Sequence, residues 1–350
     1  MTVAQSQRAA AIIPNRLSGF GAEKGRVGRK GSGVARRGET VCSRRGTRTA
    51  LLALGLTASL AMGAVAHATG TSTSAAIRSD APTADPTVVQ GRLPNGLRYA
   101  VQSNHRPGSS VSLRFYIEAG SVQEMESERG VAHFLEHMAF EGGRAIPGAA
   151  LSSRFQEAGI SIERDHNAFT NLTGTYYVMD LQAVTDAKLD LALSWLRDVA
   201  DGLTLDPEVV DRQRGVVTSE YYARRDGGTN VSESIRRFLQ PELLAPRRSP
   251  GGTPETLKAL TADTLRSYYT RYYRPDRAFV IVVGDRPVAE LKARVEATFS
   301  SWTATGPAEP DPDAGRVDYG RKTSFYVVHT PNFAQGVVDI CRPAPYEPHL

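Results

Sequence analysis

The hydrophobic pattern becomes regular at Val88, where two short apolar runs, 88–93 and 97–102, flank Pro94-Asn95-Gly96. Asn-Gly accepts the positive φ of a tight turn, so the runs predict a β-hairpin. A third strand is expected over 111–118. Ser127 predicts the cap of a helix reaching about Phe140 and stopped by Gly142-Gly143; a second helix runs from about Ala149 to Gly159. Two strands surround 171–174, the second being 175–181. Leu189, Leu193, Leu196 and Ala200 then recur at helical spacing, and Asp206-Pro207 opens another helix with a capping carboxylate and a proline at its first position. Further helices are expected near Ser232, Thr253 and Thr261, a buried strand at 279–283 and a closing helix at 287–299. Strand-like sequence resumes at 324–329. Strands and helices in this order predict an α+β fold, an antiparallel β-sheet flanked by helices.

The chain before Val88 has a different pattern. Residues 50–66 form an uncharged run, mostly Leu, Ala, Gly, Val and Met, preceded by Arg44, Arg45 and Arg48 and closed by Ala66-His67-Ala68. A charged region, an apolar core and small residues at −3 and −1 are what a signal peptidase accepts. Cleavage after Ala68 is therefore expected, with export to the periplasm or the exterior of a bacterium and no stable membrane insertion afterwards. The alternative is an uncleaved membrane anchor, for which the run is slightly short of the roughly 20 residues a bilayer needs. Ser43-Arg44-Arg45 invites a twin-arginine reading, but Thr47 and Arg48 stand where apolar residues belong. The expected organisation is a basic region and signal peptide over 1–68, a linker over 69–87, a main folded domain over 88–302, a Pro/Gly/Asp-rich linker over 303–317 and the start of a second domain over 318–350.

Composition removes several classes of function. With 41% hydrophobic and 23% charged residues, the chain is neither collagen-like, coiled-coil nor wholly disordered. The net charge of +5 is unevenly placed: residues 1–50 hold 11 Lys/Arg against 2 Asp/Glu, which leaves the remainder mildly acidic. The basic excess lies in a tail without interleaved aromatics, so nucleic acid is not expected as a partner. Two cysteines, Cys42 and Cys341, predict no disulfide framework, and Cys42 would leave with the signal.

The chemistry concentrates in His133-Phe134-Leu135-Glu136-His137, inside the first predicted helix. At about 100° per residue the two histidines lie roughly 40° apart on one face, with Glu136 beside them. One zinc ion per chain could touch both rings; a catalytic zinc wants three protein ligands and an open position for water. Glu136 would be the general base that takes the proton of zinc-bound water, which is the chemistry of peptide hydrolysis. A third ligand is sought in the helix opened by Pro207, where Gln213 and Glu220, seven residues apart, share the face of Val209, Val210, Val216, Val217 and Tyr221. An inward carboxylate is costly unless paired or bound to metal, so Glu220 is the ligand candidate and Gln213 a candidate partner behind it. The alternative is a salt bridge from Glu220 to Arg212, Arg214 or Arg224.

These residues resemble the pitrilysin and insulinase family of zinc peptidases, whose inverted H-x-x-E-H motif and distant glutamate are matched by His133, Glu136, His137 and Glu220. The resemblance covers about 88–302. It includes Gly130-Val131-Ala132, Met138-Ala139-Phe140, Asp165-His166-Asn167-Ala168-Phe169-Thr170, 214–220, Tyr272-Tyr273-Arg274-Pro275 and Val282-Val283-Gly284-Asp285. It implies zinc on His133, His137 and Glu220, Glu136 as base, and Asn167 and Ala168 on a strand that pairs with the backbone of an unfolded peptide. Gln213 departs from the glutamate the family often carries there. Family members enclose substrate between two halves, and this chain stops just inside the second, so a second half or partner chain is expected. The reading is a zinc metalloendopeptidase; the alternative is a non-catalytic, zinc-retaining peptide-binding or assembly subunit.

Overall fold

The computed structural model describes residues 41–44, 85–161, 164–225, 227–328, 336–342 and 344. They fall into two units: 85–328, and the short segments 41–44 and 336–344. In the small unit β1 (Val41–Arg44) pairs antiparallel with β8 (Asp339–Arg342), in a register that sets Cys42 opposite Cys341. Cys341 is disulfide-bonded. The sequence predicts no disulfide framework; a single bond forms here because ladder pairing brings together backbones that are far apart in sequence. The signal-like run at 50–66 lies outside the described residues, among which no helix is long and apolar enough to cross a membrane.

In the large unit the predicted hairpin is present: β2 (Val89–Arg92) pairs antiparallel with β3 (Arg98–Ser103), and Gly96 between them has φ 98°, which glycine adopts without strain. They join β4 (Val111–Ile117), β5 (His166–Thr170), β6 (Thr175–Leu181) and β7 (Ala278–Gly284) in one sheet of order β2-β3-β7-β4-β6-β5. Every pair is antiparallel except β3 with β7. The sheet is therefore mixed, because β7 returns after a long helical excursion and inserts beside β3. Buried and half-buried residues alternate along β4, β6 and β7, so each strand gives one face to the core.

That face carries Leu113, Phe115, Ile117, Tyr177, Met179, Val280 and Val282. Over it lie α3 (Asp186–Asp201), with Trp195 and Leu196, and α8 (Val288–Phe299), with Phe299, whose ring centroid is 5.7 Å from that of Phe115. Each such large apolar side chain contributes about 1.5–3 kcal/mol on burial. Asp206 caps α4 (Pro207–Ala223) through the Glu208 amide at 2.8 Å, as the sequence predicts. Thr253 and Thr261 likewise cap α6 (Pro254–Ala259) and α7 (Ala262–Tyr272), while α2 (Gly148–Glu157) and α5 (Gly227–Leu239) occupy the two other predicted helical regions.

The first helix differs from its prediction. α1 is Val131–Met138, preceded by a 3-10 turn at Glu126–Glu128, and its N-cap is Gly130 at φ 94°, not Ser127. Its exposed amides are served from upstream: the buried Glu124 carboxylate accepts from Gly130 N at 2.9 Å and Ala132 N at 3.0 Å. α1 then packs against α7, α4 and β5. Residues 324–328 form no strand; Phe325 and Val327 are 91% and 88% exposed, having no neighbour to pair with among the described residues.

Candidate metal centre

α1 presents His133 and His137 one turn apart, and α4 crosses close enough for Glu220 to meet them. His133 Nε2 lies 3.3 Å from His137 Nε2, while Glu220 Oε2 is 3.0 Å from His137 Nε2 and 3.7 Å from His133 Nε2. A tetrahedral zinc with bonds of about 2.0–2.1 Å separates its ligand atoms by about 3.3 Å, so this triangle has the size such an ion needs. Two nitrogens and one carboxylate oxygen are also the donor types zinc takes. Among the described residues, His133, His137 and Glu220 are the group able to hold a metal.

The protonation states suit ligation. Burial, reinforced by the neighbouring His137, pushes His133 down to about 3, so its ring is neutral and offers a lone pair. Burial opposes a charge on Glu220, but the hydrogen bond with His137 and the adjacent positive groups outweigh it and hold the carboxyl down at about 2. Arg224 pairs with its other oxygen, Oε1. The salt-bridge alternative is thus realised through one oxygen of Glu220, while the other oxygen faces the two imidazoles. Among the described residues His133 Nδ1 is buried with no hydrogen-bond partner, so no bond from that nitrogen orients the ring.

Glu136 lies on the same helix, buried, with its Oε2 accepting a 2.6 Å hydrogen bond from Thr170 Oγ1 at the end of β5. Burial raises its affinity for a proton, partly offset by His137 and the Thr170 bond. Among the described residues β5 is an edge strand, paired with β6 alone. On it Asn167 is exposed, and its side-chain oxygen accepts the Ala168 amide at 2.8 Å, so that edge donor is covered by a group that can swing away. Asn167 and Ala168 thus lie on the strand whose last residue, Thr170, contacts Glu136. Gln213 is placed elsewhere: its amide donates to Glu141 Oε1, tying α4 to the chain that leaves α1 rather than reaching Glu220. A helical face predicts which way a residue points, not which neighbour it meets. Thr170 and Glu124 carry roles that residue type alone does not signal.

Two adjacent family models match: "Insulinase (Peptidase family M16)" over residues 99–237 and "Peptidase M16 inactive domain" over 259–349. The second begins before β7, whose strand completes the sheet described above. Among curated relatives, the chain is 34% identical over 225 residues to "Probable zinc protease PqqL" of Escherichia coli K12, covering 64% of this chain and 24% of that protein. It is 28% identical over 197 residues to "Zinc protease PQQL-like" of Arabidopsis thaliana, covering 56% and 21%. The chain thus spans about a quarter of the length of these relatives. Among solved structures, the first half of the periplasmic protease PqqL from Escherichia coli superposes with a TM-score of 0.64 at 32% identity, covering 67% of this chain and 50% of that one. Pitrilysin, at 22% identity and TM-score 0.57, shares the fold and covers 67% and 25%. A six-stranded sheet flanked by helices, an H-x-x-E-H helix facing a distant glutamate, and family matches along both stretches agree: the chain belongs to the insulinase and pitrilysin family of peptidases, M16.

Proposed function

We propose that this chain is a zinc metalloendopeptidase acting on unfolded peptides, with His133, His137 and Glu220 holding one zinc and Glu136 as general base. The observation that carries this reading is the convergence of three ligand atoms at tetrahedral spacing beside a buried carboxylate held by Thr170. Zinc at this point would supply Lewis acidity and lower the pKa of a coordinated water to about 7. The remaining work falls to the protein. Thr170 donates to Glu136 Oε2, leaving Oε1 to accept a proton from the attacking water and then return it to the leaving amine. Burial makes that carboxylate a stronger base than one in solvent. A peptide added along the free edge of β5 would displace the Asn167 side chain from the Ala168 amide and use that donor itself. Main-chain pairing of this kind favours extended, unfolded substrates.

The uncharged run at 50–66 supports export to the periplasm or exterior, as does the likeness to a protease described as periplasmic. That the matched stretch covers about a quarter of its relatives' length supports a requirement for further chain to grip the peptide. Replacing Glu136 with Gln tests the catalytic reading. The variant should keep zinc and lose hydrolysis of an unfolded peptide, and turnover like the parent's would remove Glu136 from the mechanism.

A further inference from the structure

Next to His133 and Glu220 is a cleft of about 190 Å³, lined also by Thr170, Arg224, Arg225 and Glu233. At roughly 30 Å³ per water it holds about six waters, the space of one side chain. Its lining carries two arginines and two glutamates, and the arginines have donors to spare. Arg224 is 57% exposed, and among the described residues its guanidinium has one carboxylate partner, Glu220 Oε1. A guanidinium carries five N–H donors, so most of its capacity is unspent. Arg225 lies over the Tyr221 ring at 4.5 Å and donates to Glu233 Oε2 at 2.9 Å. Arg237 stands 4.0 Å from the same oxygen, so two cations meet the single charge of Glu233.

We propose that this cleft receives a substrate side chain next to the scissile bond and selects an acidic one, Asp or Glu, through Arg224 and Arg225. The proposal rests on the peptidase reading above and names the substrate class for the same site. A planar guanidinium meets a carboxylate with two parallel hydrogen bonds, whereas a Lys side chain would meet like charge. Arg225 is already held flat by Tyr221, so little of its freedom remains to be lost on binding.

The test is binding rather than turnover. Short Ala/Ser-rich peptides carrying Glu, Gln or Lys at the centre are titrated against the zinc-loaded Glu136→Gln chain by fluorescence anisotropy. The Glu peptide should bind at least about tenfold more tightly than the Lys peptide, with Gln between them. Arg225→Gln should flatten the series and Glu233→Gln should widen it, because the first removes a cation and the second frees one. Zinc content measured on every variant separates loss of the subsite from loss of the metal. Equal binding of the three peptides, a preference for Lys, or a preference for Glu that survives Arg225→Gln would overturn the proposal and leave the peptidase reading in place. If no peptide binds even with a separately purified second half of the family type added, the peptidase reading falls and takes the subsite with it.

Discussion

Glu220 shows how far one side chain can serve two purposes: one oxygen faces the two imidazoles and the other faces Arg224. A carboxylate so divided is fixed in position before any ion arrives, which lowers the ordering cost of binding. A different kind of residue problem sits at His166, buried at the start of β5 between the rings of Phe140, Phe155 and Trp195, with neither ring nitrogen hydrogen-bonded. Burial pushes it down to about 4 from a usual 6.5, against the smaller pull of Asp165. Its folded pKa lies below its unfolded one, so the neutral ring supports the fold above about pH 6.5, and that support is lost as pH falls through about 4. At about 1.4 kcal/mol per pKa unit, the pH-dependent part amounts to about 3 kcal/mol. Urea unfolding at pH 7 and pH 4 should show His166→Leu losing about that much less stability than the parent on acidification. Equal losses in the two proteins would mean that His166 is not the group that titrates.

At the scale of elements, α1 is held at the right angle by a carboxylate that belongs to no helix. Glu124 accepts from the amides of Gly130 and Ala132, one to three residues before His133. Its removal leaves two buried donors unpaired, at a cost of about 1–3 kcal/mol for such a group. Glu124→Ala is expected to lower unfolding free energy by about 2 kcal/mol and to weaken zinc affinity about tenfold in chelator competition, as loss of a group that orients a ligand does. Parent-like zinc affinity in a destabilised variant would confine Glu124 to a role in stability. The same helix shows what was legible in the sequence. The H-x-x-E-H spacing, the strands β4 and β6, the cap at Asp206 and the helix starts near Thr253 and Thr261 are local patterns, and each is found where expected. The true start of α1 is not local: it depends on a glutamate six residues before Gly130, with no capping residue at the usual position. The parallel pairing of β3 with β7, and the attachment of Gln213 to Glu141, are long-range choices that periodicity does not encode.

At the scale of the whole molecule, the proposed ligands and base all come from 133–220, inside the unit with the complete sheet. Metal binding should therefore be a property of this unit alone. Efficient cleavage is expected to need more, because binding energy from remote parts of a substrate normally aligns the scissile bond. Adding a separately purified second half of the family type should raise peptidase activity, and an unchanged rate would show that the described unit suffices. Export belongs to this scale too: N-terminal sequencing of the exported protein should begin at Thr69, and a cytosolic product retaining residues 1–68 would contradict it. The most direct measurement is zinc content by atomic emission on the purified chain and on His133→Ala and Glu220→Ala. About one zinc per parent chain and a large loss in both variants are expected from the three converging ligand atoms. Parent-like zinc in both variants would contradict the assignment of His133 and Glu220 as ligands.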